Sequence, residues 1–273
     1  MIPVFVPSYK RPRATLLVRS MNWDFPLYVF VRKEELEDYA WIKKRPNTKL
    51  IALKNVHDIG ETRAAMLRYA SVHGIPRVFM LDDDVTRLDL SIWDEERKIV
   101  RASGTVHGYP ENWQRVLRKW ESLWEDQAMF GATYRPFSWS MKKSALKTNR
   151  RVQLQQAVGI NVERIVAEGL RYYSNKVVGN EDLFLQLECY QQRLECVQTP
   201  LIQYDCPAMG AGKGGCNASE LGSISEKQHR RVKQFLKACG NDPAVRVSTT
   251  RGGVESIKFN WKVIDKLMGG SYE

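Results

Sequence analysis

Residues Val78-Phe79-Met80-Leu81 form a short apolar run that breaks abruptly into three carboxylates, Asp82, Asp83 and Asp84. An unbroken apolar run of this length fits a strand buried on both faces of a parallel sheet. Acidic residues directly after it then sit at the carboxyl end of that strand, where open α/β sheets bind ligands. Three adjacent aspartates repel one another, so a buried cluster is costly without compensating positive charge. A divalent cation carrying a phosphorylated ligand is the usual compensator, because hard cations prefer carboxylate oxygens. The competing reading is an exposed acidic turn that caps the next helix.

The chain leading up to the aspartates has the alternation expected of βαβ units. Strands are predicted at 2–6, 27–31, 49–53 and 77–81, with helical patterns at 14–21, 33–41 and 60–72 between them. This spacing predicts an α/β fold with a mainly parallel, Rossmann-type sheet flanked by helices. Right-handed crossovers gather the loops that follow the strands along one edge. Those loops hold Pro7 to Pro12, Arg32, Asn55 to Arg63, and the aspartates.

Beyond the aspartates the pattern is less regular. A helix is predicted from Asn112 to about Ala128, with Trp113, Val116, Leu117, Trp120 and Leu123 on one face. Such a stripe is more often core packing than a recognition surface. Strands are expected at 130–133, 157–162 and 197–204, and helices at 180–192, with Asn180 as the cap, and 225–238. Residues 206–223 are rich in glycine and small side chains and read as a loop. The expected organisation is one catalytic domain over 1–239, with a nucleotide-binding half at about 1–90 and a smaller acceptor half at about 91–239. A basic extension follows over 240–273.

The 273 residues, 43% hydrophobic, suffice for a substantial core. No apolar stretch is long enough to span a bilayer and the first residues do not read as a signal peptide, so a cytoplasmic protein is expected. The formal charge of +11 favours an anionic partner. Five cysteines without CxxC spacing argue against a zinc site or a disulfide framework.

The order of motifs resembles that of the GT-A glycosyltransferases. Val4-Phe5-Val6-Pro7-Ser8-Tyr9-Lys10-Arg11-Pro12 looks like that family's opening strand and nucleotide loop. Ile59-Gly60-Glu61-Thr62-Arg63 resembles its Gly-x-x-x-Arg segment, Leu81-Asp82-Asp83-Asp84 its DxD motif, and Gly179-Asn180-Glu181-Asp182 its later Glu-Asp motif. The resemblance implies a nucleotide-sugar donor held by Pro7, Ser8, Tyr9, Arg11, Arg32, Gly60, Arg63, Asp82 and Asp83. It implies Mn²⁺ or Mg²⁺ on Asp82 and Asp84, and Asp182 as catalytic base with Glu181 beside it. The residues make chemical sense on their own terms. A nucleoside diphosphate leaves readily only when its growing charge is neutralised, which a cation between alternate aspartates provides. Arg63, in the first turns of a helix, suits phosphate or sugar hydroxyls; the alternative is a surface ion pair with Glu61. An acceptor alcohol needs a base such as Asp182, although a carboxylate there also suits a helix N-terminus.

The glycine-rich segment Met209 to Cys216 lacks P-loop spacing, so Lys213 is read as a mobile-lid contact to the diphosphate. The resembled family often adds a C-terminal histidine to the metal; no histidine lies in this segment, and Asp205 and Cys216 are weak substitutes. The basic residues Lys142, Lys143, Lys147, Arg150, Arg151, Lys227, His229, Arg230, Arg231, Lys233 and Lys237 form a candidate phosphate-binding surface. Tyr134, Trp139, Tyr172 and Tyr173 are candidate stacking faces for a flipped base. Together with the opening motif, these features resemble the phage TET-associated glycosyltransferases. That narrower resemblance implies a UDP-sugar such as UDP-glucose as donor, 5-hydroxymethylcytosine in double-stranded DNA as acceptor, and the host cytoplasm as the place of action. The alternatives are a GT-A enzyme with a carbohydrate or lipid-linked acceptor, or a nucleotidyltransferase. A purely DNA-binding protein would explain the charge but not the aspartates.

Overall fold

A computed structural model describes residues 1–20, 24–96, 99–102, 110–138, 149–170, 177, 179–207, 222–250 and 252–269. The first part runs β1 (Val4–Pro7), α1 (Thr15–Arg19), β2 (Leu27–Arg32), β3 (Thr48–Leu53), α2 (Ile59–Val72) and β4 (Arg77–Leu81). Then come β5 (Arg87–Asp94), β6 (Ile99–Ala102), α3 (Pro110–Leu123), β7 (Met129–Tyr134), α4 (Arg135–Ser138), β8 (Ala157–Asn161) and α5 (Val162–Ala167). The chain continues through α6 (Glu181–Gln191), β9 (Cys196–Asp205), α7 (Ile224–Ala238), the strands β10 (Val245–Thr249) and β11 (Glu255–Phe259), and α8 (Trp261–Leu267).

Among the described residues one sheet has the order β3-β2-β1-β4-β8-β7-β9-β5-β6, and β10 pairs with β11 in a separate hairpin. The strands β1 to β4 are mutually parallel, as the βαβ spacing anticipates. Strand β8 runs against both β4 and β7, β9 runs with β7, and β5 runs against both β9 and β6. Only β8 and β5 therefore oppose the common direction. The carboxyl ends of β1, β4, β7 and β9 lie along one edge.

Burial explains the strands. In β4, Val78 and Met80 join one core layer, and Phe79 and Leu81 join the other. This is the two-faced burial that a continuous apolar run requires. The first layer packs α2, α5, α6 and α7 through Met66, Leu67, Ile165, Leu183, Leu187, Val232 and Phe235. The second is covered by α3, whose Trp113, Val116, Leu117 and Trp120 are buried, so the tryptophan stripe is core.

One expectation changes. The helical pattern at 33–41 is instead two 3₁₀ turns, Lys33–Glu35 and Ala40–Lys44. The buried residues there are Glu35, Tyr39, Ile42 and Arg45. Their spacing of three to four residues suits tight turns, and the Tyr39 hydroxyl and Glu35 carboxylate are committed to the loop after β1. The basic extension from about Gly240 carries β10, β11 and α8, and its Ala244, Ile257, Phe259 and Ile264 belong to the same core layer as α6 and α7. Among the described residues, no helix is long and apolar enough to cross a membrane.

Candidate active site

The three aspartates leave the middle of the sheet at the end of β4. The Asp82 N–H donates to the Gln156 carbonyl at 2.9 Å, just before β8, and the Thr86 N–H donates to the Asp205 carbonyl at 2.8 Å, at the end of β9. Residues 82–86 thus cross the sheet edge from β4 towards β9, pinned at both ends.

Asp83 faces the loop after β1. Its carboxylate accepts from the Ser8 hydroxyl at 2.5 Å and from the Arg11 guanidinium at 3.1 Å. Arg11 also reaches Asp84 Oδ2 at 2.7 Å. The Ser8 and Tyr39 hydroxyls are 2.8 Å apart, and the Arg11 N–H donates to the Tyr39 oxygen at 3.0 Å. Lys10 holds a positive φ of 56° in this loop, and its N–H donates to Glu35 at 3.1 Å. Tyr9 carries the Arg32 guanidinium 3.8 Å above its ring, and Arg32 also donates to the His57 carbonyl at 2.6 Å. These cation–π and charge-assisted contacts join the β1 and β2 loops to the turn before α2.

Asp82 faces the other way. Arg63, buried in the second turn of α2, donates to Asp82 Oδ1 at 2.5 Å and lies 3.1 Å from Glu181 Oε1. The alternative partner, Glu61, instead accepts from the His57 N–H at 2.6 Å. Asp58 caps α2 by accepting from the Glu61 N–H at 2.8 Å, and Gly60 is buried in the first turn. Glu181 and Asp182 open α6, as expected, but the cap differs. Asn180 occupies the N-cap position and its side chain makes no capping hydrogen bond; its buried Nδ2 has no partner among the described residues. Its φ of −140° with ψ of 24° departs from the extended geometry in which an N-cap side chain reaches back to the first turn. Asp182 Oδ1 accepts from the adjacent Leu183 N–H at 2.8 Å, and the buried Glu181 Oε2 has no hydrogen-bond partner among the described residues. Gly179 precedes them with φ of 73°, and a β-carbon there would lie 2.6 Å from the buried Arg231 side chain, so only glycine fits.

Electrostatically the cluster is over-supplied with negative charge. Burial pushes Asp83 up to about 7, against the opposing pull of Ser8 and Arg11. Burial also raises Asp82, with Arg63 opposing and Asp84 and Glu181 adding to the rise. Asp182 is raised by burial and by the Glu181 charge, with Arg63 again opposing. Two arginines thus stand against five carboxylates.

The donor set suits a hard cation. Asp82 and Asp84 each commit one oxygen to an arginine, and the buried Asp84 Oδ1 has no hydrogen-bond partner among the described residues. Among the described residues no three histidine, cysteine or acidic side chains group as a complete metal cage. Asp205 is 3.6 Å from Arg135 and engaged there. Lys213, Cys216, Trp139, Tyr172, Tyr173, Lys142, Lys143 and Lys147 lie outside the described residues. On the basic surface Arg150 pairs with Glu195 at 2.6 Å, Arg151 with Asp265 at 2.8 Å and His229 with Glu255 at 2.9 Å.

Sequence reasoning missed Tyr39, Gln156, Tyr204 and Cys206. Tyr204 lies at the carboxyl end of β9 and Cys206 just beyond it, a position that the strand-end rule applied to Asp82 would also have marked. Tyr39 and Gln156 carried no motif.

Comparison with known proteins adds an independent finding. The family model described as TET-Associated Glycosyltransferase matches residues 2–210. No curated protein gives a significant sequence match. Among solved structures, the chain is similar to a putative nucleotide-diphospho-sugar transferase from Desulfovibrio desulfuricans, at 12% identity and TM-score 0.43, covering 86% of this chain and 99% of that one. It is also similar to a 4-diphosphocytidyl-2C-methyl-D-erythritol synthase from Anaerococcus prevotii, at 8% identity and TM-score 0.44, covering 76% and 90%. A third is the apo-form glycosyltransferase GlyE of Streptococcus pneumoniae, at 12% identity and TM-score 0.41, covering 78% and 57%. With the family match spanning most of its length, the chain belongs to the TET-associated glycosyltransferases.

Proposed function

We propose, with that membership as the premise, that the enzyme moves a sugar from a UDP-sugar such as UDP-glucose to the hydroxymethyl oxygen of 5-hydroxymethylcytosine in double-stranded phage DNA. The observation that carries the reading is the meeting of two distant acidic segments, Asp82–Asp84 and Glu181–Asp182, around Arg63. The acceptor follows from the family's association with TET-type oxygenases, whose product is a hydroxymethylated base. The net charge of +11 suits a polyanionic acceptor, since neutralised phosphates release counterions.

Asp82 and Asp84 would hold Mg²⁺ or Mn²⁺, which when bound neutralises charge on the diphosphate as it departs. Ser8 and Arg11 keep the β1 loop against the aspartates, and Arg32 and Tyr9 present a cationic, aromatic wall beside it for the nucleotide. Asp182 takes the proton from the hydroxymethyl oxygen as that oxygen attacks the anomeric carbon and the bond to the diphosphate breaks. Its raised affinity for protons, caused by burial and Glu181, makes it a stronger base than an exposed carboxylate. Arg63 fixes Glu181 and Asp82 relative to one another. The target alcohol sits on a base, so the base leaves the duplex stack to reach Asp182.

The test is incubation of hydroxymethylated and unmodified duplex DNA with a panel of nucleotide-sugars, with and without chelator, followed by nucleoside mass spectrometry. A hexose mass added to hydroxymethylated cytidine alone, and lost with chelator, is the expected result. Transfer only to a carbohydrate acceptor would overturn the DNA reading, and undiminished transfer in chelator would overturn the metal assignment.

A further inference from the structure

Tyr134 and Tyr204 are register partners at the carboxyl ends of the parallel strands β7 and β9, on the sheet edge that carries the aspartates. Their rings lie 5.5 Å apart and tilted by 40°. Between the pairs Ala132–Thr199 and Thr133–Gln203 the β7–β9 register shifts, with Pro200 to Ile202 standing extra on β9, so the irregularity in β9 sets how its last residues meet the end of β7. The pair is tied to the aspartate loop through the backbone. Tyr204 precedes Asp205, whose carbonyl holds the Thr86 N–H at 2.8 Å, two residues beyond Asp84. Tyr204 is buried, whereas Tyr134 is only partly covered. Burial raises the Tyr204 phenol well above its ordinary range, and Cys206, Asp82 and Asp182 all add to the rise. The ring therefore stands within electrostatic reach of both the aspartate loop and the base.

The nucleotide side of the edge has its own aromatic, Tyr9, already covered by Arg32. The tyrosine pair stands across the aspartate loop from it, at the ends of acceptor-half strands. The arrangement has one buried ring as backing and one partly open ring in front. It matches what a flat, uncharged heterocycle needs, since stacking uses a π-face and tolerates a lack of hydrogen-bond complementarity.

We propose that Tyr134, backed by Tyr204, is the platform on which the flipped pyrimidine of the acceptor stacks, turning its hydroxymethyl group towards Asp182. This rests on the DNA-acceptor reading above and adds to it the residue that positions the base. Tyr134→Phe keeps the π-face and loses the hydroxyl, Tyr134→Leu keeps apolar bulk and loses the π-face, and Tyr134→Ala removes both.

The experiment measures KM for hydroxymethylated duplex DNA, KM for the nucleotide-sugar, and acceptor-free hydrolysis of the nucleotide-sugar for the wild type and the three variants. Base stacking of ordinary strength predicts a rise of about ten- to a hundredfold in DNA KM for Tyr134→Ala. A smaller rise is expected for Tyr134→Leu and at most about twofold for Tyr134→Phe on the same scale. Donor KM and hydrolysis should stay at wild-type values in all three, which also certifies folding. An unchanged DNA KM in Tyr134→Ala, or Tyr134→Phe as impaired as Tyr134→Ala, overturns the platform while leaving the DNA reading intact. Wild-type enzyme that hydrolyses the donor yet modifies no DNA overturns both.

Discussion

Two charged clusters share the active edge, and they are built differently. In the first, Ser8, Arg11, Tyr39 and Asp83 form a closed set in which the Asp83 carboxylate meets both a hydroxyl and a guanidinium. In the second, made of Arg63, Asp82, Glu181 and Asp182, the buried Glu181 Oε2 and the neighbouring Asn180 Nδ2 have no hydrogen-bond partners among the described residues. Orphaned buried polar atoms are costly and usually mark strain or a ligand's place. Under the proposed function the two have different labours: the first cluster fixes the nucleotide loop, and the second faces the reactants.

Substitutions of the reactant-facing carboxylates should damage turnover more than stability. Asp182→Asn is expected to have the largest kinetic effect, a fall in kcat of about a hundred- to ten-thousandfold, with nucleotide-sugar affinity preserved. A stable variant with near-normal kcat would reduce Asp182 to a helix-end carboxylate and break the comparison. Asp84→Asn should lose most transfer and, in calorimetry, most of the Mn²⁺-dependent gain in UDP affinity. Full retention of that gain would move the metal elsewhere.

Arg63→Ala crosses both terms. It leaves Asp82 and Glu181 without their cation, and breaking a buried pair commonly costs about 3–5 kcal/mol. Denaturant titration should show a loss of that order, alongside weaker donor binding and unchanged DNA binding. A loss of DNA affinity alone would assign Arg63 to the acceptor.

In the first cluster the effect should be one of pH rather than rate. The Asp83 pKa, about 7 when folded, stands above the ordinary unfolded value of about 3.9. The folded state therefore holds a proton that the unfolded chain has released, and stability falls as pH rises through that window. Asp83→Asn, measured by thermal melts in chelator between about pH 4 and 8, should flatten that decline. An unchanged slope would show that Asp83 is not the titrating group. The smallest effect is expected at Asn180→Ala, well under the ~1 kcal/mol typical of a lost cap, because no capping bond exists to lose.

These clusters also mark how far the sequence could be read. The apolar runs of β1, β2 and β4 and the stripe on α3 announce themselves, because burial imposes period and composition directly. The aspartates are legible for the same reason, by their place after a buried strand. Their partners are not. Ser8 and Asp83 are 75 residues apart, and nothing local in either segment encodes the pairing. The helix expected at 33–41 failed because Glu35 and Tyr39 answer to the β1 loop and not to their own neighbours, so tertiary ties overrode local composition. The β10 strand, mostly exposed along its length, has no apolar alternation to betray it. Arg63 was placed in the site, but its real partners, Asp82 and Glu181, emerge only once α6 is brought to the edge.

The sheet order has a consequence for how the enzyme comes into being. Strands β8, β7 and β9 insert between β4 and β5, yet β7 starts at Met129 and β9 ends only at Asp205. A chain emerging from the ribosome therefore makes β4 and β5 long before the strands that flank them exist. Until β8 has been synthesised, at residue 161, β4 offers an unpaired edge, and until residue 205 has been synthesised the aspartate loop has no Asp205 carbonyl for Thr86. Such non-local pairing folds slowly and exposes strand edges on the way. Activity should appear late and all at once, and fragments ending before β9 should be prone to aggregate and inert.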